Sequence, residues 1–356
     1  MNTSEQSPET SAKRGFTLVD LAALVVVCAT VAAVAAPTLN IAKKQKFATT
    51  SERNLGIIGQ GAAMYSAVNS DRIPTYSWEA GVSYTMPNGN IYTPISDQEA
   101  AGFQNQEILM RMTGRIALQN DGIRRLTSHL AHRRYAHLPL WDFMGPSIRP
   151  FIWADPADAN LIFWQRHPHD YHSGSSVPYA NGSPPFGYDQ SSSWSEPAIL
   201  QRWAFTTSYE TVPAAWAPRM PDTYGPISET TNFYTTSSNL TPSLSNGRMM
   251  TEVAFPSRKV YMFEEFDRET FVDSFFAYSF AAPAKLMFDG SINTEQTGQA
   301  RPAANPLNYP APTVWRQRYI PLDTFPIPVT GLGESTELDM HYRWTFNGLL
   351  GQDYTP

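Results

Sequence analysis

Lys13-Arg14-Gly15-Phe16-Thr17-Leu18-Val19-Asp20-Leu21 joins a polar N-terminal stretch to a long apolar run. From Phe16 to Ala36 there are 21 residues, all apolar or small except Thr17, Asp20 and Thr30. At about 1.5 Å per residue such a run spans roughly 31 Å as a helix, the thickness of a bilayer's hydrocarbon core. A helix packed inside a soluble protein is rarely apolar on every face. The segment therefore reads as membrane-spanning.

Three readings of this span compete. An ordinary secretory signal fits the basic start and the small residues Ala33, Val34, Ala35 and Ala36. Its apolar core is too long, since such cores run about 7–15 residues. A plain single-span anchor leaves Asp20 unexplained, because an acid costs about 2.5–3.5 kcal/mol at a helix centre and less near an end. A lipoprotein signal fails as well, because Val26-Val27 before Cys28 are too bulky for such a site. The third reading uses every feature of the junction at once.

Lys13 to Leu21 resembles the prepilin leader junction of type IV pilins and type II secretion pseudopilins. The resemblance implies cleavage after Gly15 by a prepilin peptidase and methylation of the new amine of Phe16. These families carry an acid, normally Glu, at the fifth mature position; Asp20 stands there and shortens the arm by one carbon. Pro37 falls at the twenty-second mature position, where many pilins also have proline. Cleavage would place a positive amine near the first helical turn. The Asp20 carboxylate could neutralise such an amine on a neighbouring subunit, turning two costly charges in lipid into one pair. Pro37 lacks a backbone donor and crowds the Ala33 carbonyl, which predicts a kink or local opening.

Lys43, Lys44 and Lys46 follow the span and are three of the five lysines after the leader. With positive charge on both sides, the positive-inside rule alone does not orient the span. The resemblance does: leader in the cytoplasm, large domain outside. Helical signals continue to Val68, with Leu55, Ile58, Ala62 and Tyr65 at three- and four-residue spacing. Gly56, Gly59 and Gly61 weaken this helix in isolation but permit close packing. Asn69 to Pro74 ends it.

Further segments are similar to large pilin-like proteins. Arg53-Asn54-Leu55, Ile58-Gly59, Tyr65 and Ile73-Pro74 match their first-helix series. Trp153 to Asp158 resembles their Cys-Pro-Ser-Asp segment without the cysteine, and Thr207-Ser208-Tyr209 their Ser-Tyr strand. Pro256-Ser257-Arg258-Lys259-Val260 and Phe288-Asp289-Gly290-Ser291 are similar to a strand entry and a hairpin of the same proteins. Independently, Val260–Phe263, Ala284–Phe288 and Tyr319–Leu322 read as strands, and Asp289-Gly290 as a hairpin turn. Residues 104–135 carry helical stretches. The stretch 173–247, dense in Ser, Pro, Gly, Asn and Tyr, reads as long ordered loops.

Composition narrows the function classes. Of 356 residues, 42% are apolar, 13% aromatic and only 16% charged, against an ordinary charged share of about 25%. The net charge of −6 argues against a general nucleic-acid binder. One cysteine, Cys28, excludes an intramolecular disulfide. His167, His169, Asp170 and His172 have metal-binding chemistry but sit around Pro168 in a non-helical spacing. Asp155, Asp158 and Asn160 offer oxygen ligands of the kind calcium takes. The bland readings, a solvated loop and a turn, are preferred for both.

Residues 104–149 hold seven Arg and three acids, a patch that is either a solvated face or a dock for the acid-rich stretch 252–273 of another subunit. Glu264, Glu265, Asp267 and Glu269 lie too close in sequence to imply a facing glycosidase pair. Trp141, Trp153, Trp164, Trp194, Trp203 and Trp216 form either core or an aromatic surface platform.

The expected fold is α+β and pilin-like. A long N-terminal helix, membrane-spanning in its first half, packs on an antiparallel sheet with long loop-rich insertions. The expected division is leader 1–15, span 16–36, helix extension 37–68 and extracytoplasmic domain 69–356. The expected role is a structural subunit of a type IV pilus or type II secretion pseudopilus in the cytoplasmic membrane. Its partners would be prepilin peptidase and like or related pilin subunits, with no enzyme activity, cofactor, metal or nucleic acid expected. The rival is a single-span extracytoplasmic binding protein or adhesin using the aromatic surface.

Overall fold

A computed structural model describes residues 17–116, 122–126, 135–145, 150–166, 205–216, 227–230, 233–236, 247–270, 274–304, 314, 316–319 and 336–355. The chain divides into two compact units, Met1–Lys46 and Phe47–Pro356. The described residues are α+β. Helix α1, Leu18–Val68, runs for 51 residues and continues through Pro37.

In the first unit the side chains of Leu18, Val19, Leu21, Leu24, Val25, Val26, Val27 and Val31 are all exposed. No part of this stretch packs into protein, and its length and composition are those of a membrane-crossing helix.

In the second unit α1 becomes a one-sided helix. Ser51, Asn54, Leu55, Ile58, Ala62 and Ser66 are buried, which is the three- and four-residue period of a single face. Full burial of Leu55 and Ile58 contributes about 1.5–3 kcal/mol each. Gly59 permits a close approach: a Cβ there would lie 2.8 Å from Leu286 Cδ1. The Gly61 counterpart would lie 2.5 Å from Met144 Sδ.

Strands β1 (Tyr84–Thr85) and β2 (Ile91–Tyr92) form a small hairpin. Helix α2 (Asp97–Thr113) follows, with Ser96 Oγ accepting from the Glu99 N–H at 3.2 Å. Helices α3 (Leu138–Met144) and α4 (Ala159–Arg166) are short. Next come β3 (Tyr209–Thr211), the pair β4 (Ile227–Thr230) and β5 (Phe233–Thr236), and β6 (Val260–Glu264). They are followed by β7 (Phe266–Asp267) with β8 (Ser274–Phe275), then β9 (Lys285–Met287) and β10 (Ile292–Asn293). The last pair is β11 (Arg316–Tyr319) and β12 (Thr336–Asp339).

The central sheet is antiparallel in the order β10-β9-β6-β3. Every residue of β6 is buried, so its sequence is a continuous apolar run ended by Glu264. Asp289-Gly290 makes the expected turn between β9 and β10: Gly290 has φ +87°, and the Asp289 carboxylate accepts from Ser291.

The helical reading of 104–135 is met by α2, which starts earlier, at Asp97, and ends at Thr113, while residues 122–126 are not helical. One expectation needs correction: β4 and β5 stand in the stretch 173–247 read as loops, whereas β3 falls at the Thr207-Ser208-Tyr209 segment compared with a strand. β3 owes its form to pairing with β6, Tyr209 opposite Glu264, a partner more than fifty residues away. Residues 320–322 of the expected Tyr319–Leu322 strand lie outside the described residues.

Candidate functional site

At the start of α1, Gly15 and Phe16 lie outside the described residues. Thr17 and Asp20 close a capping box. Asp20 Oδ2 accepts from the Thr17 N–H at 3.0 Å and from the Thr17 hydroxyl at 2.7 Å. The Asp20 N–H donates back to Thr17 Oγ1 at 3.2 Å. Asp20 thus satisfies a helix-end donor as well as carrying a charge into the apolar segment. Cys28 is exposed and unpaired with another cysteine.

The second site is a polar seam where α1 meets the sheet. Ser51 and Asn54 stand three residues apart on the buried face. Ser51 Oγ lies 2.9 Å from the Tyr209 hydroxyl and donates to Glu264 Oε1. Asn54 Nδ2 donates to the Ala154 carbonyl at 3.2 Å. Glu264 Oε2 accepts the Ala284 N–H at 2.9 Å.

Pro156 shapes the neighbouring turn, in which Asp155 Oδ1 accepts from the Ala157 N–H at 2.6 Å. Asp158 Oδ1 caps α4 by accepting from the Leu161 N–H at 3.0 Å. Arg268 then clamps both acids. Its Nη1 donates to Asp155 Oδ2 at 3.0 Å and its Nη2 to Asp158 Oδ2 at 3.1 Å. Ser208 Oγ adds a bond to Asp158 at 2.9 Å. Asp155 and Asp158 do come together, but on a guanidinium, and the Asn160 side chain lies outside the described residues.

Asp155, Glu264 and Glu269 each place one carboxylate oxygen within 4.8 Å of the others. Such oxygens are the donors a hard cation takes. Burial raises all three carboxyls above the usual carboxylate range, and the charge of Asp155 adds to the rise at Glu264 and Glu269. Arg268 opposes the rise at Asp155. Burial works against the charge of Arg268 itself, but Asp158 and Asp155 outweigh it and hold it firmly cationic.

Other charges in the interior are structural in their contacts. Arg343 donates to Glu210 at 2.5 Å and lies 4.4 Å over the Phe276 ring. Lys285 Nζ donates to the carbonyls of Pro283 and Glu295, each at 2.7 Å. Its burial pulls the amine down to about 7. Glu264, Glu265 and Asp267 are buried, so they are not the acidic surface that residues 104–149 of another subunit would need. Two of the described arginines of that patch are also engaged: Arg111 with Glu107 and Asp142, Arg125 with Glu99.

Trp141, Trp153, Trp164 and Trp216 are all buried, and the rings of Trp141 and Trp153 stack at 5.7 Å. They are core. Trp194, Trp203 and His167–His172 lie outside the described residues. Sequence reasoning passed over Ser51, Asn54, Tyr209 and Arg268 as seam residues. The available signal was that Ser51 and Asn54 fall in phase with Leu55, Ile58 and Ala62, so two polar side chains share the apolar stripe. No family model, curated protein or solved structure matches this chain.

Proposed function

We propose that the chain is a pilin-like structural subunit, processed after Gly15, methylated at Phe16 and held in the cytoplasmic membrane by residues 16–36. In this reading the C-terminal domain is extracytoplasmic, prepilin peptidase matures the chain, and like or related subunits assemble with it into a type IV pilus or type II secretion pseudopilus. The role is mechanical rather than catalytic.

The observation that carries the reading is the continuity of α1. One helix begins two residues past the leader junction, presents apolar side chains on every face, and ends as a one-sided helix buried against the sheet. An assembly subunit needs both properties in one element, the first for lipid and neighbouring helices and the second for its own domain. The rival reading, an aromatic binding surface, loses four of its six tryptophans to the core.

The decisive experiment is the N-terminal residue and intact mass of the membrane-extracted protein. A mature chain beginning at methylated Phe16 is expected, and Gly15→Val is expected to leave a longer, unassembled form. An N-terminus at Met1, or one after Ala35, removes the basis for the proposal.

A further inference from the structure

The carboxyl of Glu269 is placed where an ionised group has no acceptable surroundings. Its Oε2 accepts from the Arg268 N–H at 3.2 Å. Its Oε1 is buried and meets no donor among the described residues. That carboxyl is within hydrogen-bonding contact of Asp155, whose two oxygens already accept from the Ala157 N–H and from Arg268. An acceptor facing an acceptor in a dry interior repels unless a hydrogen lies between them.

The surrounding charges do not remove the conflict. Facing this seam are Asp158 from the α4 turn, Asp267 from β7, Lys285 from β9 and Tyr209 from β3, with Ser51 and Asn54 from α1. Arg268 directs its Nη groups to Asp155 and Asp158, and Lys285 gives its amine to two backbone carbonyls. Among the described residues five carboxyls, Asp155, Asp158, Glu264, Asp267 and Glu269, thus face two basic side chains.

We propose that Glu269 is held as the neutral acid and donates its proton to Asp155, making this seam a proton-held latch between the C-terminal half of α1 and the sheet. The coupling to α1 is direct, because Ser51 donates to Glu264, and Glu264 sits within 4.8 Å of the Asp155 and Glu269 oxygens. Removing the proton sets two like charges, Glu269 and Asp155, face to face beside the buried Glu264 carboxyl and weakens the seam in which Ser51 of α1 holds Glu264. The latch loosens as pH rises. It does not depend on the pilin reading.

The sign follows from linkage. Burial and the neighbouring acids raise the Glu269 carboxyl, so the native chain keeps a proton that the unfolded chain has lost above about pH 4.3. The stabilisation is complete below that pH and declines as pH rises toward the raised native value. His137 and Lys285, both pulled down by burial, give opposite trends in parts of the same range. The measurement is therefore a difference between variants.

The full chain in detergent is melted between pH 5 and pH 8, as wild type and as Glu269→Gln, whose amide supplies a permanent donor to Asp155. The expected result is a melting-temperature gap that moves in favour of the variant, by about tenfold in folding equilibrium per pH unit. A gap independent of pH, or one moving toward the wild type, overturns the proposal. Should Glu269→Gln not fold, the infrared spectrum of Glu264→Gln at pH 7 decides, since the wild-type Glu264 carboxyl is itself pushed up to about 8: a protonated-carboxyl band that remains supports the latch, and its absence overturns it. Adding calcium chloride distinguishes the other occupant. A rise of several degrees in wild type but not in the variant means that the carboxylates hold a cation, not a proton.

Discussion

Lys259 Nζ and Asp353 Oδ1 meet 3.1 Å apart, where neither side chain reaches solvent by more than 2%. The other Asp353 oxygen accepts the Val260 N–H at 2.8 Å. This pair fastens the last residues of the described chain to the first residue of β6. Breaking such a pair on one side leaves a buried charge without its partner, which costs about 3–5 kcal/mol. Asp353→Ala is expected to lower stability by that amount in a denaturant titration. The double variant Lys259→Met/Asp353→Leu should lose less, because no charge is stranded. A double variant less stable than Asp353→Ala would show that the pair contributes through more than mutual neutralisation.

Gly56 and Gly59 lie on the same helix and should respond oppositely to alanine or larger residues. A Cβ at Gly56 meets nothing within 4 Å, so Gly56→Ala should gain up to about 1 kcal/mol from helix propensity. At Gly59 the added atom runs into Leu286 Cδ1 at 2.8 Å, and Gly59→Leu forces the helix off the sheet. Overpacking of this kind costs about 1–3 kcal/mol or more. Chemical denaturation of the two variants checks the pair. If Gly59→Leu is as stable as Gly56→Ala, α1 does not pack on β9 as described.

The main lines of the α+β fold could be read from residues alone where the signal was local. The stripe Leu55, Ile58 and Ala62, the strand entry at Lys259-Val260 and the turn at Asp289-Gly290 all depend on neighbours within a few positions. The seam depends on contacts across the chain instead. Arg268 reaches Asp155 over 113 residues, and Ser51 reaches Glu264 over 213. No spacing rule connects such partners. Asp155 and Asp158 looked like oxygen ligands because the sequence shows two acids near a proline and hides the guanidinium between them. The acid-rich stretch 252–273 looked like surface for the same reason: β6 is buried on both faces, so its terminal Glu264 carries no alternation to mark it as interior.

His137 lies buried against the Trp153 ring at 4.8 Å and near Trp141 at 5.8 Å. Burial pulls its imidazole down to about 3, against a backbone contact with Phe205 that raises it slightly. A depressed histidine gives stability that is complete above about pH 6.5 and lost as pH falls toward the native value. Each unit of pH in that window costs about 1.4 kcal/mol. His137→Phe fills the aromatic site without a proton to gain, so its unfolding free energy should fall less between pH 6 and pH 4 than that of the wild type. Equal acid-side losses in the two proteins would refute this role for His137.

Asp20 joins two functions that substitution can separate. Its carboxylate caps the start of α1 through Thr17, and under the proposed assembly it also neutralises the amine of a neighbouring Phe16. Asp20→Asn keeps an oxygen that can accept from the Thr17 N–H but removes the charge. Asp20→Ala removes both, and cap loss alone costs about 0.5–2 kcal/mol. Asp20→Glu keeps the charge on a longer arm. An uncompensated charge in the apolar segment costs about 2.5–3.5 kcal/mol, roughly a hundredfold in an association equilibrium. Crosslinking of membrane-embedded subunits should therefore fall by about that factor in both Asp20→Ala and Asp20→Asn, and persist in Asp20→Glu. Membrane insertion should be unchanged in all three. If Asp20→Asn crosslinks as well as wild type while Asp20→Ala does not, the residue acts as a helix cap and the charge-pairing step of the assembly is wrong.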